Sequence, residues 1–237
     1  DVFDYPVAPR WAAEFLGVST GTLGNFACTT LNCNATSGWT TPGQFAGALN
    51  FDGANDIVTV PQNATLNDLA SFTYSAWVFP RSLGEGSVGR IIDKSGSGYK
   101  RFRLDKDPAS SFYGEVRLGT TNAVAAAPAN SDSLNQWQHV VMTFDNTTKV
   151  LRIYKNGVQI ATGTGAGNPQ SDASGDFVIG NNAGASATFD GLIDDVMVYN
   201  RALTAQEVQT LASGAPDLAA PVISGQGASG QTTTAAT

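Results

Sequence analysis

From Ser71 to Phe79 the chain alternates with a period of two. Phe72, Tyr74, Ala76 and Val78 fall on one side, and Thr73, Ser75 and Trp77 on the other. That period belongs to a β-strand, whose successive side chains point to opposite faces. Trp77 makes the second side partly apolar as well, so the segment is expected to be a central strand. One side would face a second sheet, the other a covering loop. Packing is then the expected role of Trp77, and also of Trp137, which opens the apolar run to Phe144. Similar short segments recur. Ala48–Gly53 runs into a turn, and Asp56–Val60 is stopped by Pro61, which cannot donate to a ladder. Arg90–Lys94, Tyr99–Leu104, Phe112–Leu118 and Val150–Tyr154 read as further strands. Asn156-Gly157 is a tight-turn signal leading into Gln159-Ile-Ala. Phe177–Gly180 is short, and Phe189–Leu203 holds the last strand.

One helix is expected. Thr204-Ala-Gln-Glu207 has the spacing of a capping box, and the helix would run to about Ala212. Many short strands with turn residues between them predict an all-β, two-sheet antiparallel jelly-roll sandwich with one short C-terminal helix. Residues 1–212 are expected to form one domain, of which 1–47 have the least regular pattern. From Ser213 to Thr237 Gly, Ala, Pro, Ser and Thr dominate, which reads as a linker or the start of a further domain.

Composition narrows the function. The net charge of -7 argues against nucleic-acid binding through simple electrostatics. No apolar run reaches the ~18 residues of a spanning helix. No leader pattern opens the chain, so Asp1 reads as a mature or excised start. Cys28 and Cys33 lie in a Thr/Asn-rich loop with no histidine nearby. Two cysteines are too few for structural zinc. A disulfide closing a short loop, and hence an exported protein, is one reading; two free thiols are the other. Asn34, Asn63 and Asn146 match the glycosylation pattern.

Asp194 and Asp195 stand at the start of the last strand. Alternation puts Asp194 on the side of Val196 and Val198, toward the core. A carboxylate there must be neutralised, hydrogen-bonded or bound to a cation.

Five spaced motifs carry a resemblance. They are Ala48-Leu-Asn-Phe-Asp-Gly-Ala-Asn-Asp-Ile-Val-Thr-Val-Pro61, Phe72-Thr-Tyr-Ser-Ala-Trp-Val78, Trp137-Gln-His-Val-Val-Met-Thr-Phe144, Ile153-Tyr-Lys-Asn-Gly-Val158, and Phe189-Asp-Gly-Leu-Ile-Asp-Asp-Val-Met-Val-Tyr-Asn-Arg-Ala-Leu203. Together they resemble a laminin-G-like, concanavalin A-like jelly roll over residues 48–212. The resemblance implies an accessory module of a large exported bacterial protein: a carbohydrate-binding unit, an adhesin part or a spacer. It also implies one structural calcium ion, held by the turn after the first long strand and an aspartate of the last. Here those positions are Asp52, Gly53 and Asp194, with Asp190 or Asp195 and a contribution from Glu14 as further candidates. Carboxylates and turn carbonyls are suitable calcium ligands.

The fold also builds polysaccharide enzymes. A retaining glycosidase needs two carboxylates about 5 Å apart. Relatives carry them as a Glu-x-Asp-x-x-Glu run, and this chain has only the scattered Glu14, Glu85, Glu115 and Glu207. The sole histidine, His139, belongs to a motif in which it is a sheet residue. Catalysis is therefore not expected.

Binding has a better candidate. Eight of the thirteen basic residues lie between Arg81 and Arg117. Arg101 and Arg103 share one side of a strand whose other side carries Phe102 and Leu104. With Lys94 and Tyr99 they form a candidate ligand site. Two guanidinium forks beside a ring suit the carboxylate or sulfate of an acidic polysaccharide. The alternative is a solvated polar face in which Asp93, Asp105, Asp107 and Glu115 pair with these bases. The expected function is non-catalytic, lectin-like glycan binding that orients neighbouring domains. A spacer or adhesin segment acting through protein contacts is the alternative.

Overall fold

A computed structural model describes residues 21–27, 37–40, 43–45, 47–106 and 111–214. Cys28, Cys33, Glu14, Asp107 and the tail from 215 lie outside the described residues, so the disulfide and linker expectations lie there too.

The described chain forms β1 (Thr22–Gly24), β2 (Gly38–Thr40), β3 (Ala48–Asp52), β4 (Ile57–Val60), β5 (Phe72–Pro80), β6 (Arg90–Lys94), β7 (Lys100–Asp105), β8 (Ser111–Val116), β9 (Ala123–Ala126), β10 (Gln138–Asp145), β11 (Val150–Lys155), β12 (Val158–Thr164), β13 (Phe177–Ile179), β14 (Asp190–Tyr199) and helix α1 (Ala205–Ala212). They build two seven-stranded sheets. One, the β5 sheet, has the order β12-β11-β10-β5-β14-β3-β2; the other, the β7 sheet, has the order β1-β4-β13-β6-β7-β8-β9. Every pairing between these strands is antiparallel. This is the jelly-roll sandwich that the alternation predicts.

The apolar sides of the two sheets face each other. Phe51, Phe72, Tyr74, Phe102, Phe112, Phe144, Phe177 and Phe189 are all buried in one core. Close approach is strict in places. Gly180 has φ 74°, and a Cβ there would stand 1.9 Å from the Phe51 ring, so only glycine fits.

β5 is central, paired with β10 on one side and β14 on the other. Its outer side is covered as expected: Trp77 packs edge-on against Phe45 at 5.6 Å between ring centroids and lies 5.3 Å from the His139 ring. Farther along the same outer face α1 buries Val208 and Leu211 against Val141, Tyr154, Tyr199 and Leu203. The capping box is present: the Thr204 hydroxyl accepts from the Glu207 amide, and the Glu207 carboxylate accepts from the Thr204 amide. Asn156 and Gly157 both take positive φ (50° and 81°) in the turn between β11 and β12.

The side taken by Asp194 departs from simple alternation. In β14, Asp194 pairs with Trp77 and Met197 with Ser75, so Asp195 and Val196 together oppose Ala76. This is a β-bulge, with Asp195 at φ 46°. Ile193 and Val196 both reach the core, while Asp194 turns to the outer face with Trp77. β9 was not read from the pattern either, because Ala123-Val-Ala-Ala126 is short and small-residued.

Candidate functional site

Alternation along three neighbouring strands of the β7 sheet sends one set of side chains outward. In register, Asp93 of β6 stands beside Arg101 of β7, which stands beside Glu115 of β8; Arg103 stands between Arg90 and Tyr113. Phe102 and Leu104 of β7, and Phe112 and Val116 of β8, take the core side. The sandwich therefore forces the polar residues of these strands together on its outer surface.

The result is a plate of alternating charge. Arg90 lies 3.2 Å from Asp93, and Arg101 reaches Asp93 at 3.7 Å and Glu115 at 3.8 Å. Arg103 pairs with Asp105 at 2.7 Å and with Glu115 at 3.9 Å. Each of the two central arginines also lies over an aromatic ring: Arg101 is 3.7 Å from the Tyr99 centroid, and Arg103 is 4.0 Å from that of Tyr113. Asn122 ties the rim, donating to Glu115 at 3.0 Å and to the Tyr99 hydroxyl at 3.1 Å, while that hydroxyl donates to Glu115 at 3.1 Å. Stacking and pairing hold the guanidiniums in fixed planes, so a ligand would not have to order them.

Depth differs across the plate. Arg90 and Asp93 are buried, whereas the Arg101 side chain keeps 33% of its surface exposed. Burial lowers the pKa of Arg90 to about 10, against the opposing effect of Asp93. Burial also raises that of Asp93, although Arg90, Arg101 and Arg103 all act to lower it. The outer residues therefore offer donors and acceptors to solvent, and the inner pair supports them.

Of the four sequence-predicted ligand residues, the structure brings together Tyr99, Arg101 and Arg103. Lys94 is elsewhere. It shares the core side of the β7 sheet with Ile92, is fully buried, and donates to Asn67 at 2.8 Å and to the Gly175 carbonyl. An end-of-strand lysine reads as a surface residue, but its register beside Lys100 turns it inward. Tyr113 and Asn122 were missed. Alternation in β8 places Tyr113 beside Glu115, so that signal was present; the position of Asn122 depends on a loop.

The expected calcium ligands do not form one cage. Asp52 and Asp190 are cross-strand partners, but Asp194 lies four residues farther along β14, about 13 Å away at strand rise. Asp190 is already held by cationic Arg81 at 3.0 Å and by the Ser82 hydroxyl at 2.7 Å. Arg81 also donates to the Phe51 carbonyl, which a cation at this turn would otherwise seek. Gly53, at φ 76°, lets the turn approach Asp190, where a Cβ would stand 3.0 Å from the Asp190 Cβ. Asp52 accepts from the Ala54 amide. Asp194 accepts from the amides of Gln44 (2.9 Å), Phe45 (3.3 Å) and Asp195 (2.8 Å). Among the described residues no three carboxylate, histidine or cysteine side chains converge on a metal position. The oxygens of Asp190 and Asp194 are engaged by protein N–H and O–H groups, so this pair does not fit a shared calcium.

His139 is buried, and burial lowers its pKa to about 3, so it is neutral. Its Nε2 is 2.8 Å from the Ser75 hydroxyl, beneath the Trp77 ring. It is a packed sheet residue, as expected. No helix among the described residues is long and apolar enough to cross a membrane.

Comparison with known proteins agrees with the architecture. The profile of the laminin-G type, described as the Concanavalin A-like lectin/glucanases superfamily, matches residues 52–209. Domain 4 of AbnA, a GH43 extracellular arabinanase from Geobacillus stearothermophilus solved in complex with arabinotriose, is 21% identical with a TM-score of 0.58, and the match covers 81% of this chain and 87% of that one. The binding domain of Paraclostridial Mosquitocidal Protein 1 is 17% identical with a TM-score of 0.57, over 78% of this chain and 47% of that one. A Trypanosoma rangeli sialidase in complex with the inhibitor DANA is 19% identical with a TM-score of 0.51, over 75% of this chain and 28% of that one. This chain thus spans most of the first and less than half of the other two. At these identities the likeness is one of fold.

Proposed function

The chain belongs to the concanavalin A-like lectin/glucanase superfamily, in its laminin-G branch, and from that premise we propose that it is a non-catalytic carbohydrate-binding module. The proposed ligand surface is the outer face of the β7 sheet. The observation that carries the proposal is the pair of guanidiniums, Arg101 and Arg103, fixed over the rings of Tyr99 and Tyr113 and bordered by Glu115. Sugar hydroxyls need donors and acceptors at set positions, and this plate supplies both. The arabinotriose complex of AbnA domain 4, which shares the fold, supports the class of ligand.

The proposal extends to an acidic oligosaccharide. The ion pairs of Arg101 are long, at 3.7 and 3.8 Å, and partly exposed. A bidentate sugar carboxylate makes shorter, charge-assisted bonds to such a fork. Arg117 is exposed at the edge of the plate and adds positive charge beside Arg101 and Arg103. Export of the protein is part of the same proposal and rests on the Cys28/Cys33 reading.

The acids of the plate support the non-catalytic reading. Asp93 is buried, and both Asp93 and Glu115 are within 4 Å of arginine nitrogens, as in an ion-paired surface. Calorimetric titration with neutral and uronate-containing oligosaccharides tests the proposal. Saturable binding is expected, weakened at least tenfold in Arg101→Ala and reduced by added salt for the acidic ligands. Absence of binding across the panel with the fold intact would favour the spacer reading. Released reducing ends on the same panel would favour an enzyme.

A further inference from the structure

The acids Asp93 and Glu115 both lie between arginines of the plate, but they are held differently. Glu115 accepts from Asn122 at 3.0 Å and from the Tyr99 hydroxyl at 3.1 Å, and it has Arg101 and Arg103 at 3.8 and 3.9 Å. Among the described residues Asp93 is paired with two cations, Arg90 at 3.2 Å and Arg101 at 3.7 Å. Arg90 and Asp93 are buried, at 8% and 3% exposure. Yet Arg90 Nε and Nη1 find no acceptor in hydrogen-bonding geometry, and neither does Arg101 Nε. Buried N–H groups are ordinarily hydrogen-bonded. Arg90 therefore keeps unused donors beside a carboxylate it already faces. Arg103 has no such reserve, because its Nε and Nη2 both bind Asp105, at 2.8 and 2.7 Å. Arg101, with long contacts and a partly exposed side chain, is the guanidinium best placed to change partner.

We propose that Arg101 takes the acidic group of the ligand by leaving Asp93, and that Arg90 is the positioning residue that permits this exchange by taking Asp93 over. The inference rests on the acidic-oligosaccharide reading and deepens it. When Arg101 turns its fork to a sugar carboxylate, Glu115 keeps Asn122, Tyr99 and Arg103. Asp93 keeps Arg90. A buried carboxylate left without a cation is strongly disfavoured and takes up a proton instead. The unused N–H groups of Arg90 can close on the Asp93 oxygens as Arg101 withdraws, since the two residues are already in contact. The Tyr99 ring carries the Arg101 guanidinium while its edge changes partner. The charged groups around Asp93 are Arg90 on its own strand, Arg101 and Arg103 on β7, and Glu115 on β8; its neighbour on β13 is the uncharged Val178. Burial raises the Asp93 pKa, and Arg90 is the strongest of the influences that lower it.

Titration calorimetry of the full chain with a uronate oligosaccharide, in buffers of different ionisation enthalpy, tests the exchange. The useful range is about pH 5 to 8, where the sugar carboxylate stays ionised. Wild type should bind without net proton uptake, because Arg90 keeps Asp93 charged. Arg90→Met should bind roughly tenfold more weakly or worse at about pH 7. It should also take up protons on binding and regain affinity as pH falls, because the withdrawal of Arg101 then raises the Asp93 pKa and the bound form holds more protons than the free form. Arg90→Lys, which keeps the charge, should restore most of the affinity and remove the uptake. In an Asp93→Asn background no carboxylate needs a cation, so adding Arg90→Met should cost less than about twofold. An Arg90→Met affinity within about twofold of wild type overturns the exchange and leaves the ligand reading standing. So does a loss that is independent of pH, or one equally large in the Asp93→Asn background. A wild type that binds no uronate oligosaccharide removes the acidic-ligand reading and the exchange with it.

Discussion

Replacing Asp194 with alanine removes a buried carboxylate that ties the segment before β3 to the last strand. Among the described residues its oxygens accept three backbone N–H groups, two at 2.8–2.9 Å and one at 3.3 Å. Hydrogen bonds to a charged group contribute about 1.5–3 kcal/mol each. Counting the two short bonds gives about 3–6 kcal/mol. Relaxation moves the value toward the lower end, because Phe45 is 39% exposed and its segment can turn its amides to water. A loss of about 3 kcal/mol is expected, equivalent to a fall of about 6–12 °C in midpoint for a domain of this size. Asp194→Asn, which keeps one acceptor oxygen, should lose about half as much. Urea unfolding followed by tryptophan fluorescence is the suitable assay, since Phe45 packs on Trp77 and its release changes that signal. A loss below about 1 kcal/mol would show that the carboxylate does not hold the segment. Destabilisation that appears only when calcium is present would also refute the reasoning, because it would make Asp194 a metal ligand.

Three further outcomes follow from the geometry. Chelation should leave the wild-type melting midpoint unchanged, since Asp190 and Asp194 already bind protein donors; a fall with EDTA that calcium restores would place an ion at this edge. Asp56 is fully buried, and burial raises its pKa from 3.8 to about 6, with the Asp52 charge adding to the rise. The folded state then binds more protons than the unfolded one between those values, so this group makes stability fall as pH rises from about 4 to 6. Asp56→Asn should lose that slope in urea melts taken at several pH values; an identical slope in wild type and variant counts against it. Thr204→Ala removes the N-cap of α1 and should cost about 1 kcal/mol in the same unfolding assay, with no loss indicating that the helix is held by packing alone.

Much of the fold was legible because strand alternation is a local property. Phe72, Tyr74, Ala76 and Val78 had to share a face, and so did Arg101 and Arg103, whatever lay beside them. The capping box and the Asn156-Gly157 turn are local in the same sense. The candidate site was legible to that depth. The arginines and Tyr99 were found together, but their stacking and ion pairing depend on the register of β7 against β6 and β8, which no single segment carries.

The sequence by itself therefore determined the sandwich, the order of its strands along the chain and the outward side of β7. Tertiary structure decided three things that depend on neighbours. A bulge opposite Ala76 turned Asp194 outward, and bulges arise only when two strands of unequal count are paired. Register with Lys100 carried Lys94 inward to Asn67, away from the arginines it was grouped with. Arg81, the Ser82 hydroxyl and the amides of residues 44 and 45 took the carboxylate oxygens that the motif alone assigned to calcium. A carboxylate's charge can be read from sequence, but the group that neutralises it is set by packing between distant segments.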